Sequence, residues 1–322
     1  MADANNKINT MQPFEVGDIF LGLTVLNDPD DDHAGDGRIV QYGKDLQKKG
    51  ELWTEGGVHY VGGLEFDSNG LLWAFNDLSV LHVDPKTARQ LPLTDKFLPR
   101  GYRSANFDAA GNIYLGEHMK ADKKPDNPIA NRTTIKFPVI PGEGILGYGY
   151  IYKYDSDWNH VQTFKTETTP EMTGFKGVTH SSLHPDEQVI TYATETGKRL
   201  MRYDVVNDQQ LPDLVTYPGE LGSDRVWVIA VKHLADGRVL ITRGDYMELL
   251  DEQGEVVRTY PLETYGWSDL EVCGDGEHCL VANIWEGTVA KVNIESGETV
   301  GVLDTGMKAP NRCLAGIAEY KG

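Results

Sequence analysis

The stretch GGLEFDSNGLLWAF, residues 62–75, decides the fold. Two short apolar runs flank Asp67-Ser-Asn-Gly70, a four-residue turn whose glycine supplies the positive φ that tight hairpins demand. The same hairpin recurs as RSANFDAAGNIYLG at 103–116, IAVKHLADGRVLITR at 229–243 and SDLEVCGDGEHCLVAN at 268–283. A looser copy, THSSLHPDEQVITYA, lies at 179–193. Turn glycines fall at Gly70, Gly111, Gly237 and Gly276.

Each hairpin is followed by a third strand ending in an acidic or amide residue, such as SVLHVD (79–84), RLMRYD (199–204) and TVAKVN (288–293). A fourth follows after another turn, as in EVVRTYPL (255–262). Four antiparallel strands repeating every ~40–50 residues predict β-propeller blades. The chain ends on one inner strand, near 313–318, and begins on what reads as a second strand, Gly17-Asp-Ile-Phe-Leu21. The termini therefore share a blade, which removes a free sheet edge. Inner strands are expected near 61–66, 102–107, 178–183, 228–233, 267–272 and 313–318, giving an all-β, six-bladed propeller over 1–322 as a single domain, with a flexible leader at 1–14.

Composition agrees. Of 322 residues, 35 are glycine, which favours turns and strands. Lys+Arg is 30 against Asp+Glu 49, a net charge of −19. Such a chain repels phosphate backbones and anionic lipid, so neither nucleic acid nor membrane is an expected partner. No apolar run approaches the roughly 18 residues of a membrane span. The first 14 residues lack the apolar run of a secretory leader, which points to the cytoplasm. A processed periplasmic or secreted protein would read the same way. Cys273, Cys279 and Cys313 make no disulfide framework. Cys273 and Cys279 flank one hairpin turn, either as free thiols or as a pair across it.

Inner strands of the form G-L-x-F-D-x-x-G within a six-bladed ring resemble the SMP-30/gluconolactonase-like and NHL-like propellers. That resemblance implies Ca²⁺ held by Glu, Asn or Asp at the tops of inner strands. The corresponding column here is Gly62, Arg103, Thr179, Ile229, Ser268 and Leu314, with no carboxylate or amide. Calcium wants six or more oxygens, several of them charged, so no cofactor is expected. Asp269, one place from the column, is the residual Ca²⁺ candidate. The acidic loop 27–36 is the other, because Asp28, Asp30 and Asp32 have EF-hand-like spacing, although the sixth position is His33 and the twelfth Ile39.

Loops that lead into the inner strands, and the ends of the second strands, line the channel mouth. A concave site with aromatic and mixed ionisable groups suits a small molecule. His180 is a candidate general acid or base, Asp269 or Glu117 its orienting carboxylate, and Arg103 or Lys176 a holder of a carboxylate or oxyanion. His59, Tyr60, Tyr102, Trp227, Trp267, Arg243 and Trp285 complete the candidate binding surface. Deeper in the channel, Lys232 is expected to pair with Glu65 or Glu271. Two excursions, 25–37 in blade 1 and 119–148 in blade 3, fall on the mouth face. The second mixes apolar anchors (Ile135, Phe137, Ile140, Ile145, Leu146) with Gly142, Gly144 and Gly147, as a lid would. The functional expectation is a hydrolase or lyase acting on a small organic substrate. The alternative is a non-catalytic propeller that binds a ligand or a protein.

Overall fold

The computed structural model describes residues 7–28, 34–57, 61–122, 138–171, 174–221, 227–308 and 313–322. Six four-stranded antiparallel sheets form a closed ring, and no helix occurs among the described residues. The inner strands are Cys313–Glu319, Val61–Phe66, Tyr102–Phe107, His180–Leu183, Val231–His233 and Trp267–Val272, for blades 1 to 6 in that order. Each touches the next, and the blade 6 strand returns to Cys313–Glu319. Ile19–Leu26 pairs with both Gly35–Tyr42 and Cys313–Glu319, so the two ends of the chain do build one blade.

The hairpin reading explains the local conformation. Gly70, Gly111, Gly237 and Gly276 take φ values of 76°, 81°, 90° and 69°. In the looser copy Glu187 occupies that place, at φ 62°. Side chains alternate between the two faces of each blade, and both faces are covered. Apolar clusters fill the six spaces between neighbouring blades, for example Leu21, Val40 and Ile317 against Leu280 and Ala282 of blade 6. The core is thus a ring of wedges, and the axis is left to polar groups.

Cys273 and Cys279 are buried free thiols. Val272, not Cys273, is the register partner of Cys279. The two cysteines therefore face opposite sides of the blade, one packed toward blade 1 and the other toward blade 5. Of the flexible leader expected over 1–14, residues 7–14 are described; Met11 is buried and Phe14 partly so, while the others are exposed. The Thr10 and Met11 amides donate to the Glu51 carbonyl, and Phe14 lies 4.4 Å from Phe20 and 5.6 Å from Tyr320 between ring centroids. The blade 1 excursion is shorter than 25–37. Its two strands stay in register out to the pair Leu26 and Gly35.

Candidate active site

All of the site's elements share one irregularity. In blade 2 the pairing passes from Val61–Asn76 to Gly63–Phe75, leaving Gly62 unopposed. Arg103 is skipped in blade 3 and Ser268 in blade 6 in the same way. In blade 4, Thr179 and His180 both face Ala193. A bulge bends its strand and re-aims the side chains beside it. A ring of bulges thus sits at one height at the channel mouth, and periodicity alone does not reveal it.

There His180 of blade 4 and Asp269 of blade 6 meet across the front of blade 5, Nδ1 to Oδ1 at 3.6 Å. Both are buried, at 8% and 7% exposure. Burial pushes the Asp269 carboxyl up to about 7, against the pull of the Arg103 guanidinium and of its bond from the Leu270 amide. Burial, with the Arg103 and Lys232 charges, pushes His180 well below its usual value. At neutral pH the imidazole is uncharged while Asp269 is poised between its two forms. His180 Nε2 has no hydrogen-bond partner among the described residues, nor do the indole nitrogens of Trp227 and Trp267 or the Ser268 hydroxyl.

Beneath lies an ion cluster. Lys232 Nζ is 2.5 Å from Glu65 Oε1 and 3.0 Å from Glu271 Oε2, and Lys321 Nζ is 2.7 Å from Glu271 Oε1. Lys232 therefore pairs with both expected carboxylates. Against burial, those carboxylates raise the Lys232 ammonium. Lys232 and Lys321 hold Glu271 low, whereas burial raises Glu65. Lys321 comes from the last residues of the chain, and its part was not visible beforehand. Asn106, another deep channel residue, donates to Ser181 Oγ at 2.8 Å and accepts from the Leu183 amide.

The remaining candidates divide. Glu117 is turned into the stem of the 119–148 insertion: its Oε2 accepts from the amides of Tyr148, Gly149 and Tyr150 and from the Tyr152 hydroxyl. Burial still pushes it up to about 7. Lys176 pairs with Glu195 in a small second hairpin, Thr169–Glu171 with Gly174–Lys176, that the sequence did not announce. His118, with Nδ1 3.0 Å from Thr179 Oγ1 and Nε2 4.0 Å from Glu195 Oε2, joins that group. Arg243 is buried between blades 4 and 5, 2.8 Å from Glu248 and 3.4 Å from the Tyr217 ring centroid. The Tyr102 hydroxyl bonds that of Tyr154 at 2.9 Å. Trp227 packs edge-on against Tyr265, and Trp285 stands at the rim, 38% exposed. His59, Tyr60, Asp30 and Asp32 lie outside the described residues, as do Ile135 and Phe137 of the insertion.

A cleft opens at Arg103. It is lined by Gly62, Phe75, Leu78, Tyr102, Arg103 and His118, together with Met119, Pro138 and Leu146 of the insertion. The insertion's own small core is Met119, Ala121 and Leu146 with Val139. Among the described residues no three of His, Cys, Asp and Glu stand together as a metal-ligand set. The column that the sequence resemblance assigned to calcium carries the Arg103 cation instead of an oxygen ligand, so its residues do not fit that ion.

No protein-family model matches the chain, and no curated protein matches it in sequence. Solved structures do. A chain of a nidogen–laminin complex is 11% identical, with TM-score 0.63, covering 94% of this chain and 97% of that one. The likeness is one of fold. A chain of the mitotic checkpoint complex is more distant, with TM-score 0.49 and 12% identity over 77% of this chain and 66% of that one.

Proposed function

We propose that the channel mouth is an acid–base site of a hydrolase or lyase acting on a small organic substrate. The carrying observation is the buried His180–Asp269 pair, 3.6 Å apart, with the Arg103 charge acting on both. In this reading His180, neutral at pH 7, takes a proton through Nε2 from a bound water or an acidic C–H. Asp269 orients the ring through Nδ1 and stabilises the imidazolium that forms. Arg103 holds the substrate's negative charge or the oxyanion that develops. The indole N–H groups of Trp227 and Trp267, without a partner among the described residues, are donors for substrate oxygens. Glu117 is left out of this machinery because three amides and a phenol already engage it. The architecture keeps the resemblance to SMP-30/gluconolactonase-like propellers but, in this reading, works without their cation. EDTA should then leave the melting temperature unchanged, and a fall of several degrees would contradict a metal-free site.

The test is turnover of a panel of small esters, lactones and hydroxy acids by the wild type, His180→Gln and Asp269→Asn. A rate that titrates near pH 7 and drops about 10²–10⁴-fold in both variants supports the reading. Turnover that survives both substitutions overturns it. Saturable binding with no turnover of any panel member would favour the non-catalytic ligand-binding alternative.

A further inference from the structure

Arg103 belongs to two places at once. Its charge acts on His180 and Asp269, and its side chain lines the cleft. Arg103 therefore couples the cleft electrostatically to the proposed acid–base pair. Its walls are otherwise mainly apolar, from Phe75, Leu78, Met119, Pro138 and Leu146. The space open to water-sized groups is ≈ 50 Å³. A water needs about 10–15 Å³ on that measure, so the cleft takes three or four heavy atoms. Asp77 stands on the same lining, where it would repel a second anionic group.

We infer that the site takes a short-chain aliphatic monocarboxylate, its head on Arg103 and an unbranched arm of three or four carbons in the cleft. Guanidinium and carboxylate match as planar, charge-assisted partners. The apolar wall gains from each methylene it covers until the cleft is full, after which further carbons meet the insertion. Arg103 would then set head-group selectivity, and Met119 and Leu146 the chain length. This inference rests on the proposed site but concerns binding, not the reaction.

Calorimetry with the saturated carboxylates from acetate to octanoate, and with their primary amides, tests it. Affinity should rise up to about fourfold per methylene, peak at butanoate or pentanoate, and then stop rising. The amides should bind at least about tenfold more weakly. Arg103→Gln should erase the difference between acids and amides. Leu146→Phe should move the optimum to a shorter chain, and this variant serves if Arg103→Gln fails to fold. Equal affinity for acids and amides, or affinity that climbs steadily to octanoate, overturns the inference. Repeating the series in His180→Gln separates the two ideas. Selectivity kept there, with no turnover by any form of the protein, leaves the inference standing and removes the catalytic reading. Turnover without head-group or chain-length selectivity does the reverse.

Discussion

Among the described residues, Asp269 has no basic partner within salt-bridge distance other than His180, which is itself held neutral. A buried carboxyl whose folded value is raised from about 4 to about 7 binds its proton more tightly in the folded chain. Its contribution to stability is thus fully present below pH 4 and lost as pH rises through 7. Asp269→Asn should accordingly raise stability at pH 8, by up to about 4 kcal/mol, and little at pH 4.5. Thermal melts at the two pH values check this, and an equal shift at both would contradict it. His82 works in the opposite direction. Buried against Trp73 and stacked on Trp158, it is pushed down to about 4. Its contribution to stability is therefore lost as pH falls from about 6.5 to 4. His82→Phe should flatten that acid loss in a pH series of melts, and an unchanged acid limb would show that the ring is solvated.

At the scale of elements, the insertion stem depends on one carboxylate. Glu117→Ala leaves the amides of Tyr148, Gly149 and Tyr150 without their shared acceptor, at a cost of about 1–3 kcal/mol. Hydrogen exchange should speed at those three amides and leave blades 4 to 6 unaffected. Global loss of protection would mean that the stem is part of the propeller core. Next to it, Gly149 and Gly177 pass so closely that a Cβ on Gly177 would lie 2.2 Å from the Gly149 Cα. No larger residue fits there without moving the backbone.

The elements also show what the chain makes legible. Inner strands read from the hairpin repeat lie within three residues of their observed starts, because alternation and turn glycines are local signals. So is the Lys232 pairing, since charged residues on inner strands have nowhere to go but the channel. The bulges are not local. They arise where six strands converge on one axis, and they bring Arg103, His180 and Asp269 together from positions 166 residues apart at the extremes. The mix of apolar anchors and glycines marks Leu146 as part of a lid, but no pattern marks Met119 and Pro138 as a cleft wall. Glu117 read as catalytic because it ends a second strand at the mouth. Its engagement with Tyr148–Tyr150 depends on where the insertion returns.

For the whole molecule, closure is the decisive act. Residues 313–322 supply the inner strand of blade 1 and the Lys321 partner of Glu271. Deleting them would uncover the faces of Ile19, Leu21 and Leu280, and should yield insoluble or molten protein. A truncated chain that melts cooperatively near the parent temperature would contradict ring closure by the termini. Lys232 ties blades 2, 5 and 6 across the axis. Lys232→Met leaves two carboxylates facing each other and should cost about 3–5 kcal/mol in chemical denaturation. A loss below about 1 kcal/mol would mean that water already screens the cluster. The proposed site is likewise a property of the closed ring, since blades 3, 4 and 6 each contribute one of its ionisable groups. Its most direct test is a carbon-13 NMR titration of the Asp269 carboxyl together with the His180 ring. The predicted result is a carboxyl midpoint near 7 with an imidazole whose protonation is pushed well below its usual range. A midpoint near 4, with His180 titrating at about 6.5, would contradict a buried acid–base pair at the channel mouth.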